Sequence, residues 1–211
     1  MVNILCYGDS NTYGFDPDTK GRFDKEIRWT GVLQNLLGKD YNVIGEGLNG
    51  RTTVFDDPVD DWKNGLNYVR GIVCTHRPVD VFVVMLGTND LKTCFGADVD
   101  SIRAGLEAVV DSALETLEKK QGFRPKCLIV SPAPLTNVSE GDFAGSFDEE
   151  SVNKSRMLAA AFETLSRDKG VYFLDCGEAT MPSATDGVHL DSRGHKLLGT
   201  AIGYKLLRDI C

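Results

Sequence analysis

The sequence predicts an α/β protein, a three-layer α/β/α sandwich around a five-stranded parallel sheet, and three observations carry that prediction. Short β-rich runs alternate along the chain with amphipathic helical patterns. The strand runs are almost continuously apolar, which fits strands buried on both faces of a parallel sheet. A β-α-β-α order, finally, feeds right-handed crossovers that lay helices over both sheet faces.

The elements follow in order. Residues 4–7 (Ile-Leu-Cys-Tyr) read as the first strand and residues 41–44 as the second, with a helix expected between them over residues 30–37. A second helix is expected within residues 60–74, before the apolar run at 79–86 that reads as strand three. Val99, Ile102, Leu106, Val109, Val110, Ala113, Leu114 and Leu117 recur at three and four residues and mark a long amphipathic helix. Residues 126–131 form the fourth strand, Leu158, Phe162 and Leu165 mark a further helix, and residues 171–174 form the fifth strand. Leu198, Ala201, Ile202 and Leu206 define the closing helix, with Asp191 or Ser192 as its N-cap. The expected strand order is the flavodoxin-like 2-1-3-4-5, in which ligands bind beyond the carboxyl ends of the strands near the switch between strands one and three.

A chain of 211 residues suits one domain, residues 1–211, with Pro132-Ala133-Pro134 and the Gly/Ser/Glu-rich residues 138–146 as a long loop. The hydrophobic content of 42% and charged content of 26% are those of a globular protein and leave out fibrous and membrane classes. A net charge of −8 offers no basic stripe for a phosphate backbone, so nucleic acid is not an expected partner and neutral esters suit the surface better than polyanions. Six scattered cysteines, Cys6, Cys74, Cys94, Cys127, Cys176 and Cys211, show no Cys-x-x-Cys and mostly sit in apolar runs. They read as buried free thiols of a reducing compartment, and with a first strand in place of a signal peptide the expectation is a cytoplasmic protein.

The chemistry lies in the connections. Strand one ends in Gly8-Asp9-Ser10-Asn11-Thr12, and the only Asp-x-x-His, Asp186-Gly187-Val188-His189, lies near the other terminus. Ser10 can attack a carbonyl only if a base takes its proton; His189 can be that base if Asp186 fixes its tautomer and stabilises the imidazolium. Asn49-Gly50-Arg51-Thr52 follows strand two and Gly87-Thr88-Asn89-Asp90 follows strand three. The backbone N–H groups of Ser10 and Gly50 and the side-chain amide of Asn89 would then surround the oxyanion that forms in acyl transfer. Asp90 is expected to order its loop.

These blocks resemble the SGNH branch of the GDSL esterase/lipase superfamily: Ser10, Gly50, Asn89 and His189 stand in the family's order and span most of the chain. Arg28-Trp29-Thr30-Gly31-Val32-Leu33, Glu46-Gly47-Leu48-Asn49-Gly50-Arg51-Thr52-Thr53 and Met85-Leu86-Gly87-Thr88-Asn89-Asp90 also resemble its arylesterase and acyltransferase subgroup. The resemblance implies the SGNH hydrolase fold, a small-molecule ester substrate with a short acyl group (an aryl ester or an acetylated sugar among the candidates), no cofactor, and transfer to alcohols or peroxide and homo-oligomers as subgroup traits. The family usually has Leu after the serine where this chain has Asn11, a difference expected to act on packing or pocket shape more than on chemistry.

Other readings of the same residues stay open at this level. Ser10-Asn11-Thr12-Tyr13-Gly14 after strand one could cradle a phosphate in a flavodoxin-like binding module, or the fold could be catalytically silent. Asp186, His189, Asp191 and His195 could form a metal cluster, although their spacing matches no zinc signature. His76 reads as a surface or helix-end residue and His195 as a packing or capping residue of the last helix. Tyr13, Phe15, Trp29, Phe55 and Phe95 are candidates for the acyl pocket or its rim, or for the core.

Overall fold

The computed structural model describes residues 1–138 and 143–210. β1 (Val2–Gly8) is followed by the one-turn helix α1 (Ser10–Tyr13), by α2 (Trp29–Leu37) and by β2 (Tyr41–Gly47). A 3-10 turn at Asp61–Lys63 leads into α3 (Gly65–Thr75) and β3 (Val81–Met85), and the long α4 (Val99–Gln121) leads into β4 (Lys126–Ser131). Then come α5 (Glu149–Ser155), α6 (Leu158–Lys169), β5 (Tyr172–Asp175), α7 (Cys176–Ala179) and α8 (Ser192–Lys205). Every ladder is parallel and the sheet order is β2-β1-β3-β4-β5, the predicted one.

Strand alternation divides the core into two layers. Leu5, Tyr7, Phe82, Val84, Cys127 and Ile129 pack on one face with Val69 and Val73 of α3, Ile102, Leu106 and Val109 of α4, and Leu158, Phe162 and Leu165 of α6. Ile4, Cys6, Val81, Val83, Leu128 and Val130 pack on the other with Trp29 and Leu33 of α2 and Leu198 and Ile202 of α8. Each fully buried apolar side chain of this kind contributes about 1.5–3 kcal/mol. Both faces of the sheet are thus consumed by packing, and the polar groups of the chain concentrate where the strands end.

Several boundaries move for identifiable reasons. β2 runs three residues past the expected end because its ladder continues through Cys6↔Gly45, Tyr7↔Glu46 and Gly8↔Gly47, where backbone bonding overrides the poor strand preference of glycine. The run expected at 79–86 is trimmed, since the Val79 N–H donates to Gln121 Oε1 at 3.0 Å. The helix expected over 60–74 is interrupted at Asn64, whose side chain caps α3 by accepting from the Asn67 N–H. Of the two N-cap candidates for α8, Asp191 takes the role, accepting from the Gly194 N–H at 2.7 Å. The short helices α1, α5 and α7 give no periodic signal and are instead begun by Asp9, Asp148 and Asp175 as caps.

Cys6, Cys127 and Cys176 are buried free thiols as expected, and burial pushes Cys127 and Cys176 up to about 12. Cys74 is only half-buried and Cys94 is exposed, a correction caused by their places on the outer side of α3 and in a 3-10 turn. Cys211 and most of the loop expected at 138–146 lie outside the described residues. No helix among the described residues is long and apolar enough to cross a membrane.

Candidate active site

The parallel order with β1 between β2 and β3 sets the segments after these three strands side by side. Ser10 is the first residue of α1, and Asp9 caps that turn by accepting the Asn11 N–H at 2.9 Å. Asp9 is itself buried. Burial pushes its carboxyl up to about 6, against the Asn11 N–H and the nearby His189 and Arg51, which favour the charge.

The Asp186–His189 segment comes back over this turn from the far side of the sheet. His189 Nε2 lies 2.8 Å from Ser10 Oγ and His189 Nδ1 lies 2.6 Å from Asp186 Oδ2, with all three residues buried. The other Asp186 oxygen accepts the Val188 and His189 N–H groups, both at 2.9 Å. Burial opposes the Asp186 charge, but the His189 ring and these two N–H groups outweigh it and hold the carboxyl below its ordinary range. An ionised Asp186 therefore keeps the proton on Nδ1 and leaves Nε2 to accept from the serine hydroxyl. Gly187, at φ +70°, has no room for a side chain: a Cβ there would meet the Thr136 carbonyl oxygen at 1.4 Å.

Asn11 differs from the sequence expectation. It does not line the cavity over Ser10; its amide spans the histidine, accepting from the Leu190 N–H at 2.9 Å and donating to the Val188 carbonyl at 3.3 Å. Both backbone neighbours of His189 are thereby tied to the residue next to Ser10. The polar side chain at this position thus ties the turn that carries Ser10 to the loop that carries His189.

Across the cavity, the segments after β2 and β3 are laced together. Arg51 donates to the carbonyls of Gly8 and Glu46 at 2.8 and 2.5 Å, and its guanidinium lies 4.1 Å from the centre of the Tyr7 ring. Asn89 donates through Nδ2 to the Arg51 carbonyl at 3.1 Å, which leaves its second amide hydrogen free to point elsewhere. Asp90 orders this loop as expected, accepting from the Thr53 N–H at 2.9 Å and from the Thr53 hydroxyl. Gly50 holds φ +80°, which aims its backbone in a way few other residues allow. The Ser10 and Gly50 backbone N–H groups have no acceptor among the described residues.

Ser10, Gly50, Asn89 and His189 line one cavity of about 190 Å³, together with Phe15, Asn49, Lys92, Phe143, Phe147 and Val188. Of the aromatic candidates, Phe15 belongs here, its ring centre 4.4 Å from that of His189. Trp29 belongs to one core layer, Phe55 and Phe95 pair at 5.6 Å against the other, and Tyr13 lies beneath the Arg22 guanidinium at 4.0 Å. Phe143, Phe147 and Lys92 escaped the sequence reading. The two phenylalanines lie in or beside a stretch whose composition reads as loop, and Lys92, just past the Asn89 turn, carries no motif that marks it.

The residues of the other readings go elsewhere. His189 spends both ring nitrogens on Ser10 and Asp186, Asp191 caps α8, and His195 accepts the Trp29 N–H, so the suggested metal ligands do not converge. No group of three His, Cys, Asp or Glu residues among the described ones is placed to hold a metal. His76 ends α3, as expected, and lies 2.6 Å from Glu46. The segment from Ser10 to Gly14 is a closed helical turn beside a buried carboxylate, unsuited to a phosphate.

The chain is similar to known proteins over most of its length. The GDSL-like lipase/acylhydrolase family profile matches residues 6–197. The structure of an aryl esterase from M. smegmatis is similar at 36% identity, with 100% of each chain covered and a TM-score of 0.94. Est24, a carbohydrate acetylesterase from Sinorhizobium meliloti, is 34% identical over 98% of this chain and 99% of its own, with a TM-score of 0.92. A carbohydrate acetylesterase family member from the same organism is 37% identical over 100% and 99% of the two chains, also with a TM-score of 0.92. No curated protein sequence matches significantly.

Proposed function

The chain belongs to the GDSL-like lipase/acylhydrolase family and is a carboxylic ester hydrolase, and we propose that Ser10, His189 and Asp186 are its catalytic triad. The observation that carries the assignment is the unbroken chain from Ser10 Oγ through His189 to Asp186, at 2.8 and 2.6 Å. His189 takes the hydroxyl proton as Ser10 attacks the ester carbonyl. The N–H groups of Ser10 and Gly50 and the Asn89 amide receive the negative oxygen of the tetrahedral intermediate. As the intermediate collapses, the C–O bond to the alcohol breaks and the alcohol leaves with the proton from His189. Water, deprotonated by the same imidazole, attacks the acyl-Ser10 ester, releases the acid and restores the hydroxyl.

A cavity of about 190 Å³ lies below the ~300–1,000 Å³ of ordinary ligand pockets and suits a short acyl group. The substrate reading is accordingly a short-acyl ester of an aryl alcohol or a sugar, the classes named for the similar arylesterase and acetylesterases. Transfer of the acyl group to an alcohol in place of water uses the same intermediate, and product analysis with added alcohol tests it. The free buried thiols support a cytoplasmic location, and exposed Trp62 and Tyr204 support a homo-oligomer, which light scattering tests; residues 1–211 act as one domain. The decisive experiment is fluorophosphonate labelling beside hydrolysis of p-nitrophenyl acetate. An adduct on Ser10 alone is expected; an active enzyme labelled elsewhere overturns the assignment.

A further inference from the structure

Lys92 stands out among the lysines. Lys63, Lys154, Lys169 and Lys205 are half-buried like it, and each is held by a carboxylate: Asp60 at 2.8 Å, Glu150 at 2.8 Å, Asp111 at 2.7 Å and Asp209 at 2.9 Å. Lys92 has neither an ion pair nor a hydrogen bond from its side chain among the described residues, yet it lines the cavity over Ser10. Burial, and then the charge of Lys63, hold its ammonium below the usual lysine range. Among the described residues the cavity walls hold no carboxylate beside it, being Phe15, Phe143, Phe147 and Val188 with neutral Asn49, Asn89 and Gly50; Asp57 and Asp9 favour its charge without pairing with it and do not offset its burial. A partly desolvated ammonium without a partner is unfavourable, and a charged acceptor brought by a ligand would relieve it.

The position is fixed by local structure. Lys92 follows the 3-10 turn Asn89–Leu91, and its N–H closes back on the Asn89 carbonyl at 3.2 Å. The side chain therefore springs from the same turn that carries the amide assigned to the oxyanion. It is a cation facing a cavity in a chain of net charge −8, whose overall field disfavours anions. A gain for an anionic substrate has to come from this local contact, within the ~8 Å screening length of physiological salt.

Resting on the ester-hydrolase reading, we propose that Lys92 anchors a carboxylate of the substrate, so that the preferred esters are short ones bearing an acid group. The carboxylate could lie on the acyl part, as in a half-ester of a dicarboxylic acid, or on the leaving alcohol. Two matched pairs distinguish these sources: mono-p-nitrophenyl glutarate against its methyl ester, and 4-acetoxybenzoate against its methyl ester. For the full-length enzyme the acid of one pair should exceed its methyl ester ~10–100-fold in kcat/KM, mostly through KM, the scale of a charged hydrogen bond. Lys92→Met should erase that ratio, Lys92→Glu invert it and Lys92→Arg restore it, with melting curves showing that each variant is folded.

A wild type that prefers the methyl ester in both pairs overturns the proposal without any variant. So does a Lys92→Met enzyme that slows acid and ester alike, since that makes the charge a general stabiliser of the oxyanion. Failure of the underlying reading looks different: none of the four esters is turned over and Ser10 takes no fluorophosphonate, and the proposal falls with it.

Discussion

Two buried histidines, six positions apart in sequence, occupy regions of opposite character. His189 sits in the loop before α8, with a carboxylate on one ring nitrogen and a hydroxyl on the other. His195, inside the first turns of α8, is fully buried; its Nδ1 accepts the Trp29 N–H at 3.3 Å and its Nε2 has no hydrogen-bond partner among the described residues. Burial, with the Asp191 charge only partly compensating, drops His195 to about 4, so it is a neutral packing element at physiological pH. The difference shows that burial alone makes a histidine inert. The proposed base differs in having a buried carboxylate 2.6 Å away, which would give the imidazolium a counter-charge in the dry interior.

The harshest test of that contrast removes the carboxylate's charge from His189. Asp186→Asn should lower kcat by ~10⁴-fold, as loss of the orienting acid does in serine triads, while His195→Phe changes kcat by less than about fivefold. Steady-state rates normalised to titrated active sites decide it, and comparable losses in both variants would erase the distinction. Next in size is the far wall of the cavity. Asn89→Ala should cut kcat by ~10²–10³-fold with KM nearly unchanged, since its donor acts on charge that exists only in the transition state. A variant that melts early but turns over normally per site would make Asn89 an ordinary turn residue.

Smaller is the tether that separates the two histidine regions. Asn11→Leu leaves the Leu190 N–H and the Val188 carbonyl without their side-chain partner, and ~10-fold slower turnover is expected at about 1–3 kcal/mol of lost stability. If the rate holds while stability falls, Asn11 braces the loop without aiming the base. The least effect on catalysis belongs to His195, whose signature is pH-linked stability. Between about 4 and 6.5 the unfolded chain binds a proton that folded His195 refuses. The stability from this site is therefore complete above pH 6.5 and is lost as pH falls toward 4, by on the order of 2–3 kcal/mol. Asp9 and Asp90, both raised by burial to about 6, contribute with the opposite sign over much of that range. Denaturation midpoints of the wild type should thus be compared with those of His195→Phe at each pH; a constant difference would refute the linkage.

The pairing of Ser10 with His189 was legible in the residues because each carries a local signature, a serine after a strand and an Asp-x-x-His turn. The same holds for Asn89 and Gly50, which close strands three and two. Phe143, Phe147 and Lys92 were not legible, since an aromatic in a loop or a lysine past a turn has no spacing that marks the cavity it faces. Asn11 was visible as a departure from the family's usual Leu, but its hydrogen-bond partners at positions 188 and 190 were not, since they lie at the other end of the chain.

By itself, the sequence determined the strand order and singled out the candidate reacting groups, because apolar runs and short motifs are local and the rules that join parallel strands admit few topologies. Tertiary structure alone decided which groups share a cavity, which half-buried lysine has no ion pair among the described residues and which aromatic rings wall the space over Ser10. Those properties depend on atoms brought within about 3 Å from opposite ends of the chain, and on the water excluded between them, neither of which is encoded in any one stretch of residues.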